Sequence, residues 1–397
     1  MTMLYNNPND VKSSIDSNNN GGQPITYLYE KNALIEARKK SYFTQLASTR
    51  NLPKHYGKKI RRQVYIPLLD DRNKNDQGLD ATGAKIVDGN LYGSSRDIGT
   101  ITKKFPLLSE KGGKVNRVGF SRIERESSLL LAGFYYEYTK ESMDFDSDPS
   151  LGARIYEEAI KGAHELVEDM LQQDLINSAG VTLFGGAATK NSEITGEGAI
   201  PSILTYDLLM RLDRILTANR TPKQTKIITG STKIDTRVVP SCRIAYVGPE
   251  LTPVLRKLTD GLGQPAFKSV ETYADAGNIL TGEVGAVGSF RFIEVPEMEY
   301  WAGAGANVGN DVGYSHTGGK YDVFPLLVVG DDAFNTIVFQ NDGVTKNFNI
   351  IHKQPGKGNA SADDPYGFNG FVSISFYYGF LCNWPERIGL IKVAAPR

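Results

Sequence analysis

The sequence predicts an α+β protein that combines one long helix, a block of alternating helices and strands, and a strand-rich C-terminal part. The first observation is an amphipathic stretch at 150–180, where apolar residues recur at spacings of three and four. The second is a block at 205–258, in which a helix capped by Thr205 and a helix that starts at Gly248-Pro249 enclose strand patterns at 225–229 and 242–247. The third is that strand patterns separated by Gly- and Asn-rich loops, among them 321–329 and 387–393, dominate from 284 onward.

The stretch at 150–180 is predicted to form a single helix, which we name the spine helix. Asp148 and Ser150 are candidate N-caps, and Gly180 suits the end of the helix. Such a helix would be about 40–45 Å long, so we expect it to run through an elongated molecule with strands lying across it. The residues predicted to pack the spine helix against the rest of the fold are Ile160, Ala163, Val167, Leu171 and Leu175.

The N-terminal third of the chain predicts an arm followed by a long excursion. Residues 1 to about 25 have the Asn-rich composition of a disordered arm, and a helical pattern follows at 29–47. Strand patterns at 64–69 and 117–123 then enclose a polar, turn-rich stretch that is too long for an ordinary loop. A projecting two-stranded finger fits this pattern, and because an isolated hairpin is marginally stable, it is expected to rest on another subunit.

A third strand pattern follows at 134–138. Phe134, Tyr136 and Tyr138 alternate along it, so they share one face of the strand, and we expect this face to pack on the spine helix.

Composition argues against a protein that wraps nucleic acid by itself and against one that spans a membrane. Lys plus Arg and Asp plus Glu both number 45, so the net charge is zero, whereas a protein that wraps nucleic acid by itself is usually strongly basic. Zero net charge favours association. The first thirty residues contain no signal peptide, and no apolar run approaches the roughly 20 residues that span a membrane. Cys242 and Cys382 form no metal or redox motif, as expected of reduced thiols.

No pattern in the chain predicts catalysis, a cofactor or a metal. The four histidines are scattered, and the sequence contains neither a phosphate-binding P-loop nor a G-x-S-x-G elbow. A calcium-like cluster at 71–82 lacks the required Gly and Glu. The sequence therefore predicts no catalytic, cofactor-binding or metal-ligating residues and a protein that is not an enzyme.

Charged residues near the two ends of the predicted finger are candidates for ion pairs between subunits. The alternative, that they are solvated charges on a strand face, has about equal weight because exposed ion pairs contribute little. The candidates are Arg61, Arg62, Arg122, Glu124, Arg125 and Glu126.

Six sequence motifs carry a resemblance to a known family. The chain resembles the major capsid proteins of schitovirus-type podophages, which have the Hong Kong 97-type capsid fold. Segments at about 184–200 and 355–368 do not match the family. The matching motifs are YEKNALIEARKKSYFTQLASTRNLPKHYGKKI (29–60), PLLDDRNKNDQGLDATGA (67–84), GKVNRVGFSRIERE (113–126), NRTPKQTKIITGSTKIDTRVVPS (219–241), GGKYDVFPLLVVGDDAF (318–334) and YYGFLCNWPERIGLIK (377–392).

The resemblance implies a division of the chain into five parts. Residues 1–55 would form the N-terminal arm and helix, and 56–132 the extended two-stranded loop. A peripheral domain at 133–199 would contain the spine helix, and 200–283 would form the axial domain. Strands in 284–397 would complete the axial and peripheral domains.

The resemblance also implies a function. The family builds an icosahedral shell from hexamers and pentamers, around a scaffolding protein and a portal, in the host cytoplasm. The shell then encloses double-stranded DNA, which it contacts without sequence specificity, and some shells bind decoration proteins; no membrane is involved. Some relatives crosslink subunits through Lys–Asn bonds, but no motif here carries those residues over. The alternatives are another virion component, such as a connector or tail-tube protein, and an enzyme with a site near 303–319.

Overall fold

We analysed a computed structural model of the chain. It describes residues 42–65, 122–145, 151–224, 241–273, 280–310, 313–341, 344–345, 348–360 and 364–397. The chain divides into two units, Met1–Lys40 and Ser41–Arg397, and all described residues belong to the second. The predicted arm, most of the helix at 29–47, the finger at 66–121 and a strand predicted at 225–229 therefore lie outside the described residues.

The regular elements of the described part are as follows. The helices are α1 (Lys140–Phe145), α2 (Leu151–Asn177), α3 (Tyr206–Ala218), α4 (Thr252–Arg256) and α5 (Val270–Tyr273), with 3₁₀ turns at Thr44–Leu46, Asn191–Glu193, Lys357–Asn359 and Pro385–Arg387. The strands are β1 (Ser48–Pro53), β2 (Lys59–Tyr65), β3 (Arg122–Ser128), β4 (Leu130–Thr139), β5 (Val181–Phe184), β6 (Arg243–Val247), β7 (Lys268–Ser269), β8 (Glu283–Val287), β9 (Phe290–Glu294), β10 (His316–Thr317), β11 (Lys320–Tyr321), β12 (Phe324–Val329), β13 (Phe334–Asn341), β14 (Val344–Thr345), β15 (Asn349–Lys353), β16 (Asn369–Cys382) and β17 (Ile388–Val393).

The spine helix is α2, and it packs on a sheet built around the long strand β16. Strand β16 pairs antiparallel with β4, β13 and β15, and β13 also pairs with β14 and, in parallel, with β1. Alternate residues of β16 face the helix and are buried, as expected for the two-residue period of a strand. These buried residues are Val372, Ile374, Phe376 and Tyr378.

The apolar stripe of the spine helix lies in this core. Ala163, Leu171 and Leu175 are completely buried, whereas Ile160 and Val167 are partly buried and pack against the same cluster. Near the end of the helix, Asp174 accepts a hydrogen bond from the hydroxyl of Tyr378 (2.7 Å), which ties the helix to β16.

The chain leaves the spine helix at a close backbone crossing. The Gly180 N–H donates to the carbonyl of Pro385 at 2.9 Å, and a Cβ at position 180 would lie 2.6 Å from that carbonyl group. Only glycine fits such an approach. Gly180 was predicted because glycine suits a helix end. The structure requires glycine there for another reason, the close contact with Pro385, about 200 positions further along the chain.

A seven-stranded sheet follows, with the strand order β5-β17-β12-β6-β9-β8-β7. Its central strands β6 and β12 are buried along their whole length. Because successive residues of a strand face opposite sides, the sheet separates two cores. Ile244 and Tyr246 of β6 belong to the core that contains the spine helix, whereas Ala245 and Val247 face α3 and α4.

Helix α3 covers the second face of this sheet. It starts as predicted, with the Thr205 side chain accepting a hydrogen bond from the backbone N–H of Leu208 (3.3 Å). The predicted start of the next helix at Gly248-Pro249 is wrong. The N–H of Leu251 donates to the carbonyl of Gly248 in a turn, and α4 begins only at Thr252.

Strand β5 connects the spine helix to the seven-stranded sheet. It follows directly after the spine helix and pairs in parallel with β17, at the edge of the seven-stranded sheet. Through this pairing, β5 of the part expected at 133–199 joins a sheet that also contains β6 and β7 of the part expected at 200–283. No described helix is long and apolar enough to span a membrane.

Candidate functional site

The candidate contact residues lie on a separate two-stranded ribbon, formed by antiparallel pairing of β2 and β3. Arg61 stands opposite Glu126, and its Nε lies 2.8 Å from Glu126 Oε2. Lys59 Nζ lies 2.5 Å from Glu126 Oε1. The hydrogen bond from Lys59 contributes most, and that from Arg61 less, to a Glu126 pKa below its ordinary value. These side chains are solvent-exposed, so the pairs contribute little to the stability of the single chain.

The remaining candidates show a different balance of charge. Arg122 and Glu124 are neighbours on one face of β3, with Arg122 Nη2 3.6 Å from Glu124 Oε1. Arg62 stands directly opposite Arg125, so two like charges face each other across the ribbon. Arg62 Nη1 lies 3.8 Å from Oδ1 of Asp332, two residues before β13. The six residues thus share one ribbon, five of them form ion pairs within one chain, and a role between subunits stays a prediction.

The aromatic face predicted at 134–138 packs on the spine helix only in part. Tyr138 is buried and its hydroxyl lies 2.7 Å from His352 Nε2. The Phe134 ring lies over the spine helix, since a Cβ on Gly162 would be 3.5 Å from Phe134 Cζ. The prediction is wrong for Tyr136, which is 54% exposed.

Sequence reasoning missed Glu168, a buried carboxylate on the spine helix. Its two oxygens accept hydrogen bonds from the backbone N–H groups of Tyr42 (3.2 Å), Phe43 (2.8 Å) and Thr44 (3.2 Å), and from the Thr44 hydroxyl. The Phe43 ring packs against Tyr246 with centroids 4.5 Å apart. Glu168 therefore holds the backbone of residues 42–44 against the spine helix. The signal was an acidic residue four positions after His164, within the apolar stripe.

Two surface clefts lie in the described part of the chain. A cleft of about 530 Å³ lies between α3 and α4, and one of about 610 Å³ lies beside the end of the spine helix. No histidine or cysteine of the described part lines either cleft. The described residues also contain no group of three His, Cys, Asp or Glu side chains that could hold a metal ion. Burial raises the pKa of the Cys382 thiol to about 11, which lowers its thiolate fraction at neutral pH.

The fold resembles solved phage capsids. The structure matches the capsid of Ralstonia phage GP4 with a TM-score of 0.54 and 11% identity, over 95% of this chain and 97% of that chain. It matches the capsid of Cyanophage Pam1 with a TM-score of 0.51 and 12% identity, over 93% and 96% of the two chains. At this identity the likeness shows the fold alone. The fold is that of the Hong Kong 97-type capsid proteins.

Sequence identity then shows the family. The chain is 53% identical over 393 residues to the major capsid protein of Pseudomonas phage KPP21. The match covers 98% of this chain and 97% of that protein. No protein-family model matches the chain. The chain belongs to the family of phage major capsid proteins, as the resemblance predicted.

Proposed function

We propose that this chain is the subunit of an icosahedral phage head, in which it assembles with itself as hexamers and pentamers around double-stranded DNA. The observation that carries the proposal is the 53% identity to a phage major capsid protein over nearly the whole of both chains. This identity supports a structural role without catalysis. The protein would be located in the capsid of the virion, after assembly in the host cytoplasm.

The described contacts support an assembly role for the segments around the ribbon. Residues 66–121 leave the described structure at Tyr65 and return at Arg122, which are paired neighbours at one end of the ribbon. This long excursion and the N-terminal segment before Tyr42 would lie across neighbouring subunits and supply contact area that one subunit cannot bury. Exposed charges such as Arg61 and Arg122 would then pair with a neighbour at the ribbon.

The division into domains is part of the same proposal. The sheet around β16, together with the spine helix, corresponds to the peripheral domain expected at 133–199 with strands from 284–397. The helices α3 and α4 with the strands they cover correspond to the axial domain expected at 200–283. The N-terminal arm (1–55) and extended loop (56–132) complete the subunit.

Further partners are proposed from the function of the family. A scaffolding protein would direct curvature, a portal would occupy one vertex, and decoration proteins would bind the outer surface. Contact with the packaged DNA would be non-specific, in keeping with a net charge of zero.

Electron microscopy tests the proposal directly. The protein would be expressed alone and together with the scaffolding protein of its phage. We expect closed icosahedral shells, or hexameric capsomers that close into shells when the scaffold is present. Rings with a single rotational symmetry would instead support a connector or tail-tube component, and small oligomers in both samples would contradict assembly into a shell. A variant that lacks 70–115 then tests whether the excursion is needed.

A further inference from the structure

We propose that the turn at 54–58, which joins β1 to β2, is a binding site for the phosphate backbone of double-stranded DNA. The inference rests on the proposed function, because a phage head holds this polyanion in large excess, and it names the surface that meets it. It is carried by a local surplus of positive charge, by the exposure of the turn, and by lysine side chains and backbone N–H groups that remain available to a partner.

Positive charge is concentrated at this turn and in the adjoining ribbon, although the whole chain is neutral. Residues 54–65 and 122–128 contain seven Lys or Arg residues and two Glu residues, which is a surplus of five positive charges. Because the chain contains 45 basic and 45 acidic residues, the rest of it carries a surplus of five negative charges. Such an asymmetry is typical of a protein that meets a polyanion with one surface. The seven are Lys54, Lys58, Lys59, Arg61, Arg62, Arg122 and Arg125.

The ion pairs of the ribbon leave much of this surplus in place. Both glutamates already pair with basic residues of the ribbon, and Asp332 lies near Arg62. Within the described part of the chain, neither Lys54 nor Lys58 forms an ion pair. These two ammonium groups are therefore available, and each would release a counterion from DNA on contact with a phosphate.

The turn is accessible to a large partner. All residues from 53 to 59 are exposed, and Tyr56 in the middle of the turn is 77% exposed. A Cβ at Gly57 would meet no atom within 4 Å, so the backbone is open there as well. Side chains and backbone of the turn can therefore both contact a polynucleotide.

The two ends of the turn are fixed by the fold. Before the turn, Leu52 is buried, and β1 pairs with β13 as far as Pro53. After it, β2 pairs with β3 from Lys59 onward, and the carbonyl of Lys58 accepts a hydrogen bond from the N–H of Leu129 at 2.9 Å. The backbone that carries the two lysines is thus held in place, whereas their long side chains can adapt to the position of a phosphate.

The backbone of the turn adds hydrogen-bond donors. His55 and Gly57 have φ angles of 73° and 81°, so the chain turns sharply away from the direction of β1. Among the described residues, no hydrogen bond uses the N–H groups of His55, Tyr56 or Gly57. Phosphate oxygens accept hydrogen bonds from backbone N–H groups as well as from lysine. The turn therefore combines two lysines with three backbone donors.

The composition of the turn favours DNA over an acidic protein as the partner. The cores of protein interfaces are depleted of lysine and enriched in aromatic and apolar side chains. Tyr56 is the only large aromatic or aliphatic side chain among the exposed residues 53–59. Double-stranded DNA carries about one negative charge per 1.7 Å of its axis, so it needs no matched acidic pocket. Contact through phosphates would also be independent of base sequence.

Binding of short double-stranded DNA to the unassembled subunit tests the site. Fluorescence anisotropy would measure the affinity at several salt concentrations. For the wild type, we expect the logarithm of the affinity to fall with the logarithm of the salt concentration with a slope of about −2 or steeper, as for two or more phosphate contacts. Lys54→Gln combined with Lys58→Gln should weaken binding at low salt at least about 10-fold and make the slope shallower by about 2. A wild-type subunit without salt-dependent binding would overturn the inference.

A second double variant serves as the matched control. Lys257 and Lys268 are also exposed, so Lys257→Gln combined with Lys268→Gln changes the net charge by the same amount elsewhere on the chain. We expect this control to bind DNA within about twofold of the wild type, and both double variants to melt like the wild type. An equal loss of affinity in the two variants would show that only net charge matters and would overturn the assignment to the turn.

Crosslinking in DNA-filled heads identifies the partner. Tyr56 would be replaced by the photoreactive p-benzoylphenylalanine, and the irradiated heads would be digested with nuclease and protease. We expect peptides of the turn that carry nucleotides. Crosslinks to protein alone, whether to a second copy or to a scaffolding protein, would overturn the assignment of DNA.

The two proposals fail in distinguishable ways. DNA binding is measured on the unassembled subunit, so its absence in a protein that still forms shells would overturn this inference and leave the proposed function intact. A protein that binds DNA through the turn but forms no shell under any condition would contradict the proposed function instead.

Discussion

The carboxylate of Glu168 is predicted to hold the entry of the N-terminal segment in place, and its removal should release that segment locally. Glu168 accepts hydrogen bonds from three successive backbone N–H groups, at Tyr42, Phe43 and Thr44. The Glu168→Ala variant removes all of these bonds at once. Phe43 still packs against Tyr246, so we expect the rest of the fold to persist.

The expected magnitude follows from the number and charge of these bonds. A hydrogen bond to a charged group contributes about 1.5–3 kcal/mol, and a buried donor left without a partner adds a penalty. Losing the whole set should cost about 3 kcal/mol or more in the free energy of local opening. Since 1.36 kcal/mol is a factor of ten, amide exchange at residues 42–44 should accelerate roughly 100-fold.

Native-state hydrogen exchange with peptide-level mass spectrometry measures this effect on the unassembled subunit. Glu168→Gln keeps one acceptor oxygen, and we expect it to accelerate exchange roughly 10-fold, between wild type and the alanine variant. Glu157→Ala, at an exposed position on the same helix, serves as the control and should change exchange at 42–44 less than about twofold.

Two results would refute this reasoning. If Glu168→Ala leaves exchange at 42–44 within about twofold of wild type, the carboxylate does not hold these amides. If exchange accelerates equally throughout the chain, the residue supports global stability and does not act locally at the entry point.

Three further predictions concern close packing, a buried thiol and a surface carboxylate. Gly180→Ala should lower the free energy of unfolding by about 2 kcal/mol or more, as measured by denaturant unfolding, because the added Cβ would overlap the Pro385 carbonyl. The control Gly261→Ala, whose position has open space around it, should leave this free energy nearly unchanged. Burial raises the pKa of Cys382 from 9.0 to about 11, so its thiolate fraction at pH 8 should be about 100-fold below that of the unfolded chain. The free energy of unfolding associated with this shift is present below pH 9 and is lost as the pH rises toward 11. Alkylation of the native protein as fast as in denaturant would contradict this prediction. Glu126→Gln should shift the Tm of the unassembled subunit by no more than about 2 °C at pH 7, because its ion pairs are exposed; a large shift would show that the ribbon depends on them.

Much of the secondary structure could be predicted from the sequence because it depends on local periodicity. The helical period at 150–180 produced α2 (Leu151–Asn177), and apolar runs produced strands such as β12 and β17 within a few residues of the expected bounds. The Thr205 cap was predictable for the same reason, since its donor lies only three residues away.

The candidate site was less predictable, because its features depend on contacts between distant segments. The burial of Glu168 depends on residues more than 120 positions earlier. Position 136 looked equivalent to 134 and 138 in the strand pattern, but Tyr136 is 54% exposed. The charged residues of the ribbon were found in sequence, whereas their partners were decided by the strand register that sets Arg61 opposite Glu126.

The sequence by itself determined that this is an α+β chain with one long amphipathic helix, and its motifs identified the family. Both depend on information carried by neighbouring residues or by a long ordered set of matches. Only the tertiary structure decided that β5 pairs with β17, that a glycine must stand at 180, and that Glu168 meets the backbone of residues 42–44. Each of these contacts joins segments that are distant in sequence, so no local pattern of residues encodes them.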